Sequence, residues 1–292
     1  MYQKLDECPA CKHTLLTNYL ICEDHAASGE SFALVQCKKC SLVITNPRPD
    51  QDHIGAYYQH NDYISHTNQA NNPVNWLYKQ VRTITLAQKT TLIKSHSDQK
   101  RILDFGCGTG LFIQHLKKNG FLPTGFEPSP NARTMAENIT GLPILNDLKQ
   151  LEQQKPFDII TAWHVLEHVH DLRPTLKALR KSLTEDGLMF IALPNHLSYD
   201  AKHYGSHWAA YDVPRHLSHF NQQSLEKLAK ECKLNLIKTY PMKFDAYYVS
   251  LLSEKYKTGK TNYLKALRVG LKSNQQARQT SEYSSLIYVL TK

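Results

Sequence analysis

A chain of 292 residues, 41% apolar and 21% charged, has the length for one large domain and a smaller companion, and no run reaches the roughly 18 apolar residues of a membrane span. The net charge of +9 invites a nucleic-acid reading, which its distribution weakens: residues 1–60 carry five Lys or Arg against seven Asp or Glu. Seven basic residues and no acidic one lie between Lys255 and Ser281, either a solvated face or an anchor for a phosphate-bearing or acidic partner. The opening MYQKLDECPACKH lacks the apolar core of a signal peptide, so the cytoplasm is the expected compartment.

In chain order, the first feature is a pair of Cys-x-x-Cys knuckles, Cys8 with Cys11 and Cys37 with Cys40. Each sets two thiolates at the bite a tetrahedral Zn²⁺ accepts, so the four predict a structural zinc site. The run FALVQ enters the second knuckle as a strand, as in zinc ribbons. With all four positions filled by sulfur, such a metal folds the module and does not catalyse. Cys22, Cys107 and Cys232 have no matching partners and read as small buried residues.

An aromatic-rich connector, IGAYYQHNDYISH, follows. Val74, Leu77, Val81 and Ile84 then recur at helical spacing after Pro73. From Arg101 short apolar strands alternate with amphipathic helices: RILDFG, LPTGFE, FDIITAW and GLMFIALP are the strands. That alternation predicts right-handed βαβ units and a mostly parallel sheet covered on both faces. The expected division is a Cys₄ module over 1–48, a connector over 49–95 and a Rossmann-like α/β domain over 96–292.

After the first of those strands, ILDFGCGTGLF is a strand, a glycine loop and a helix start, with Gly106, Gly108 and Gly110 spaced two apart. Backbone amides in such a loop approach a ligand at the positive end of the next helix. A dinucleotide fingerprint would carry its third glycine where Leu111 stands. Asp104 precedes the loop, and Glu127 ends the next strand, where an acid would accept from ribose hydroxyls.

These residues resemble the class I S-adenosylmethionine-dependent methyltransferases, whose loop reads acid-x-Gly-x-Gly-x-Gly as DFGCGTG does, over roughly residues 75 to 292. The resemblance implies a seven-stranded, mostly parallel sheet. It implies that Asp104, Gly106, Cys107, Gly108 and Gly110 wrap the methionine part of the cofactor, with Glu127 at its ribose. It also places Asn146 and Asp147 near adenine, and His164 and Val165, from WHVLEHV, beside the sulfonium. Glu167 is open between a cap or salt bridge and catalysis, and His168 joins the catalytic candidates.

Methyl transfer to a hydroxyl or carbon needs the acceptor aligned and a proton removed, and histidine suits the second task near neutral pH. Eight of the fifteen histidines fall between His164 and His219, after the fourth and fifth strands. The long connection containing YDVPRHLSHF, Tyr211 to Phe220, is expected to form a substrate-facing loop or lid. With the zinc ribbon, it resembles the deoxysugar C-methyltransferases and their Glu-His-x-x-Tyr-Phe stretch: His216 matches the histidine, while Arg215 replaces the acid and His219 the tyrosine. Their C-terminal domain has no counterpart here. The resemblance makes His216 a base or acceptor-orienting group, with His219 and Tyr211 beside it. Arg215 could pair with a substrate phosphate or carboxylate, or internally with Asp212. Phe220 and Asn221 read as packing and capping the following helix.

The leading expectation is thus a methyltransferase acting on a small-molecule or carrier-linked acceptor, such as a sugar or cell-envelope precursor, with S-adenosyl-L-methionine and structural Zn²⁺ as cofactors. A ribosomal-RNA methyltransferase with a zinc ribbon is the alternative, and the ribbon's slightly acidic charge argues against it. A non-catalytic zinc-containing interaction protein is the third reading, against which the intact glycine loop and ribose acid stand.

Overall fold

The computed structural model describes residues 1–58 and 73–292, with side chains for 1–58 and 82–292. In chain order the elements are β1 (Tyr2–Gln3), β2 (Leu16–Glu23), β3 (Ser31–Cys37), β4 (Val43–Thr45), β5 (Arg48–Pro49), α1 (Pro73–Lys94), β6 (Arg101–Phe105) and α2 (Leu111–Lys118). Next come β7 (Leu122–Phe126), α3 (Pro130–Thr140), β8 (Ile144–Leu145), α4 (Leu148–Glu152), β9 (Phe157–Trp163), α5 (Leu172–Lys181) and β10 (Leu183–Pro194). The chain ends with α6 (Tyr199–Tyr204), β11 (Ser218–His219), α7 (Gln222–Glu231), β12 (Asn235–Pro241), α8 (Asp245–Thr258), α9 (Tyr263–Thr280) and β13 (Ser285–Thr291). The connector beyond Tyr58 and the side chains of Val74, Leu77 and Val81 lie outside the described residues.

Among the described residues, one sheet of seven strands runs in the order β12-β13-β10-β9-β6-β7-β8. Its β6–β7, β6–β9 and β7–β8 pairings are parallel, as the strand–helix alternation predicts. The fold is therefore the expected Rossmann-like α/β arrangement.

The chain divides into two compact units that do not follow linear sequence. The second comprises Ile64–Trp163, Lys177–Phe190 and Thr291–Lys292. Ile102, Leu103, Phe105, Ile113, Leu116, Ile159 and Ile160 are buried there, which is why β6 and β9 read as continuous apolar runs. Local sequence sets the helix ends. Pro130 sits in the first turn of α3, where its missing N–H costs nothing, and Gly141 closes that helix in the left-handed conformation at φ 65°.

The first unit comprises Met1–Tyr63, His164–Leu176 and Ile191–Leu290. Here β2, β3 and β4 form the antiparallel ribbon, and β11, from the histidine-rich stretch, pairs with β4 as a fourth strand. Phe32, Leu34 and Val43 of the ribbon share one buried cluster with Trp208, Tyr211 and Val213 and with Val249 and Val269 of α8 and α9. The connection from Asn195 to Phe220, expected as a substrate-facing loop or lid, is largely interior, with α6 and two 3-10 turns, Gly205–His207 and Ala209–Tyr211. It can be interior because its polar groups are satisfied: Asp200, fully buried, accepts from Trp208 Nε1, Ser273 Oγ and Ser284 Oγ. Phe220 packs in the core, and Asn221 caps α7 in a reciprocal capping box with Ser224.

Candidate functional site

In the second unit, β6 delivers the chain into the glycine loop. Gly106, Gly108 and Gly110 all adopt positive φ, at 75°, 54° and 80°, where a side chain would be strained. Gly106 and Cys107 both donate their amides to the Phe126 carbonyl, which ties the loop to the end of β7. The Gly108 amide donates to Glu127 Oε2 at 2.9 Å, and the Ser129 amide to Glu127 Oε1 at 2.9 Å. Burial raises the Glu127 carboxyl from its ordinary value against the pull of those amides. Asp104, almost fully buried, accepts from Thr161 Oγ1 at 2.7 Å, and its burial lifts its pKa to about 6.

Cys107 is a buried thiol whose pKa burial raises, so it fills space and is not a nucleophile. Asn146 and Asp147 are exposed at the end of β8. Asp147 is the N-cap of α4 in a capping box with Gln150, and the Asn146 amide donates to Gln150 Oε1.

In the first unit, the segment after β9 and the PRHLSHF stretch come together. His164 holds φ 56°, rare for a residue with a Cβ, and its amide donates to the Ala192 carbonyl. Its ring lies between two carboxylates, Nδ1 at 3.4 Å from Glu167 Oε1 and Nε2 at 3.3 Å from Asp245 Oδ2. Burial opposes its charge, but Asp245 and Glu167 outweigh it and raise the pKa to about 9, so this imidazole is protonated at neutral pH. Val165 is half-buried beside it.

Four residues on, His168 is held by two groups at Nδ1: the Arg215 carbonyl at 3.0 Å and Tyr58 Oη at 2.9 Å. Burial, then the neighbouring His216, push its pKa down to about 4, so it is neutral. The His168 and His216 rings meet edge to face, 4.6 Å between centroids, and His216 Nδ1 lies 2.8 Å from the Ala210 carbonyl. Asp212 Oδ2 stands 3.9 Å from His216 Nε2.

Arg215 is buried and internally committed. Its Nη2 reaches Asp24 Oδ1 and Asp212 Oδ1 at 2.7 Å each, and its Nη1 donates to the Tyr57 carbonyl. The internal pair is therefore the arrangement observed, and the guanidinium is not presented to a substrate. Tyr211 is buried against Trp208 and His219, with burial raising its phenol. His219 is buried with Nε2 on Thr45 Oγ1 at 3.1 Å, and burial drives its pKa well down. His216 and His168 thus share one cluster, while His219 and Tyr211 lie in the core beside it. Asp24, Tyr58 and Asp245 complete the neighbourhood. Sequence reasoning missed all three because they come from distant segments and carry no local motif.

The four paired cysteines converge in the same unit. Sγ of Cys8 and Cys40 are 3.5 Å apart, Sγ of Cys11 and Cys37 3.6 Å, and all four sulfurs lie within 4.8 Å of one another. Both knuckles repeat one geometry. Lys12 and Ser41 donate their amides to Cys8 and Cys37 at 2.9 Å with φ near 60°, and Cys8 and Cys37 donate to the carbonyls five residues on. Hydrogen bonding to Cys40 lowers the Cys8 thiol, whereas Cys8 raises Cys40. Four buried thiols can all ionise only around a cation, so the donor set fits a metal ion.

Residues 78–239 match the protein family described as "Methyltransferase domain". The chain is 32% identical over 108 residues to a ubiquinone biosynthesis O-methyltransferase of Glaesserella parasuis, 33% of this chain and 46% of that protein. It is 32% identical over 126 residues to the same-named enzyme of Coxiella burnetii, 41% of this chain and 52% of that one. The chain spans about half the length of these relatives. The magnesium protoporphyrin IX methyltransferase of Synechocystis PCC 6803, solved with bound SAH, has a similar fold, with a TM-score of 0.54 over 83% of this chain and all of that one at 11% identity.

Proposed function

The chain belongs to the methyltransferase domain family, and on that premise we propose that it transfers the methyl group of S-adenosylmethionine to a small-molecule or carrier-linked acceptor. The observation that carries this reading is the glycine loop of three positive-φ glycines, tied through the Gly108 amide to the buried Glu127 carboxylate. On this reading Asp104 and the loop from Gly106 to Gly110 receive the methionine part, and Glu127 turns from the Gly108 and Ser129 amides toward ribose hydroxyls. Asn146 and Asp147 lie toward adenine, and His164 and Val165 toward the sulfonium.

His216, with His168 beside it, is the acceptor-orienting group. Its Nδ1 faces a carbonyl, which can only accept, so the ring proton is at Nδ1 and Nε2 keeps a lone pair. His164 is excluded as a base because it is already protonated at neutral pH. His219 and Tyr211 support the cluster from the core. Structural Zn²⁺ on Cys8, Cys11, Cys37 and Cys40 holds the ribbon. The slightly acidic charge of the ribbon gives no support to RNA binding. A sugar or cell-envelope precursor is the acceptor class that the deoxysugar resemblance suggests.

Calorimetry with S-adenosylmethionine on the zinc-loaded protein tests the cofactor, and mass spectrometry of products made with labelled cofactor in cell extract tests the acceptor. Absence of cofactor binding by folded protein would overturn the proposal.

A further inference from the structure

Beyond the four cysteines, the first unit contains a second set of convergent donors. One ligand atom each from Glu167, His168 and His216 lie within 4.8 Å of one another. Glu167 is 1% exposed, and among the described residues neither of its carboxylate oxygens has a hydrogen-bond partner; its ion pair is with His164, Nδ1 standing 3.4 Å from Oε1. His164 offsets part of that charge but is shared with Asp245, 3.3 Å from its Nε2, so Glu167 retains acceptor capacity that a further partner would use. The two imidazoles are oriented for such a partner. His216 Nδ1 faces the Ala210 carbonyl and His168 Nδ1 the Arg215 carbonyl, at 2.8 and 3.0 Å. Carbonyls only accept, so each Nδ1 carries the proton, with Tyr58 Oη as a second acceptor at His168 Nδ1, and in the neutral rings both Nε2 atoms keep their lone pairs. Backbone carbonyls that fix the tautomer of a histidine are the usual outer partners of metal-bound imidazoles.

We propose that Glu167, His168 and His216 bind a divalent transition-metal ion, distinct from the cysteine-bound zinc. Two imidazoles and one carboxylate form a borderline nitrogen–oxygen donor set, suited to Zn²⁺, Co²⁺, Fe²⁺ or Mn²⁺ and unsuited to Ca²⁺. Three protein ligands leave coordination positions open for water or for a hydroxyl or carboxylate oxygen of a small molecule. Asp212, 3.9 Å from His216 Nε2, stands at the edge of the site and is itself held by Arg215. The site shares His216 and His168 with the proposed acceptor-orienting cluster, but metal uptake reads it without cofactor or acceptor, so its failure and that of the methyl-transfer reading are distinguishable.

The test is metal analysis and Co²⁺ titration of the full-length zinc-loaded protein. Wild type is expected to take up one equivalent beyond that held by cysteine, with weak visible bands and no added thiolate-to-cobalt charge transfer. Glu167→Gln and His216→Gln lose that equivalent and keep the cysteine-bound one, whereas Cys37→Ser does the reverse. Should a variant fail to fold, the wild-type titration still decides. Wild type taking up no metal beyond the cysteine equivalent, a second equivalent showing thiolate charge transfer, or folded Glu167→Gln and His216→Gln both retaining it, would each overturn the proposal.

Discussion

Replacing Gly108 with alanine separates two roles that glycines in one loop can play. At Gly108, φ is 54° and a Cβ would find no atom within 4 Å. Its cost to the unliganded fold is then the left-handed strain alone, about 1–2 kcal/mol. At Gly110, φ is 80° and a Cβ would lie 2.9 Å from Thr140 Cγ2 and 3.0 Å from Ala136 Cα and Cβ. There the strain adds to overpacking worth about 1–3 kcal/mol, giving about 2–5 kcal/mol in all. If the open space around a Gly108 Cβ is where the proposed cofactor lies, Gly108→Ala should lose about 100-fold in affinity, or about 2.8 kcal/mol. Urea denaturation without ligand measures the first quantity for both variants, and calorimetry with S-adenosylhomocysteine measures the second. The loop is not the cofactor cradle if folded Gly108→Ala binds within about threefold of wild type, a difference under 1 kcal/mol.

Asp104, raised to about 6 by burial, binds its proton more tightly folded than unfolded. The associated stability is full below the ordinary carboxyl value and is lost as pH rises through 6, so Asp104→Asn should gain about 3 kcal/mol at pH 7 and almost nothing at pH 3, read by denaturation without cofactor. Arg215→Met leaves buried Asp24 and half-buried Asp212 without their cation and should cost about 3–5 kcal/mol by the same measurement. Burial would raise the Asp24 carboxyl, but Arg215 holds it below its ordinary value, so wild type should lose that stabilisation as pH falls through the acid range, and Arg215→Met should not. Cys37→Ser should abolish one equivalent of zinc and lower the melting temperature, with metal analysis and calorimetric scans as readouts.

What was legible in the sequence is what short-range chemistry dictates. The glycine loop, the Glu127 after β7 and the two knuckles announce themselves because each depends on residues a few positions apart, so spacing alone specifies the geometry. The parallel sheet followed from apolar strands alternating with helices. The surroundings of the histidine cluster did not follow, because Asp24, Tyr58 and Asp245 reach Arg215, His168 and His164 from three distant segments. Length told less at residues 195–220: a long, histidine-rich connection suggested a substrate-facing loop or lid, and spacing alone did not reveal that its polar groups find buried partners such as Asp200 and that it lies largely inside. Glu167 stayed open between a cap or salt bridge and chemistry, because its burial and its ion pair with His164 emerge only in three dimensions.

The pairing of β11 with β4 makes the ribbon part of the histidine cluster's framework. Thr45 Oγ1 donates to the His216 carbonyl at 2.8 Å, the Thr45 amide to Leu217, and the Leu217 amide to the Glu167 carbonyl. The first fifty residues are therefore not a cassette that recombination could exchange or proteolysis remove at no cost. A chain trimmed of them would leave Ser218 and His219 without a partner strand, and the segments bearing His216 and Glu167 would lose a common brace. On the proposed reading, loss of metal from the cysteines would loosen that brace and so act on the histidine cluster as well, coupling metal supply to whatever chemistry the cluster performs.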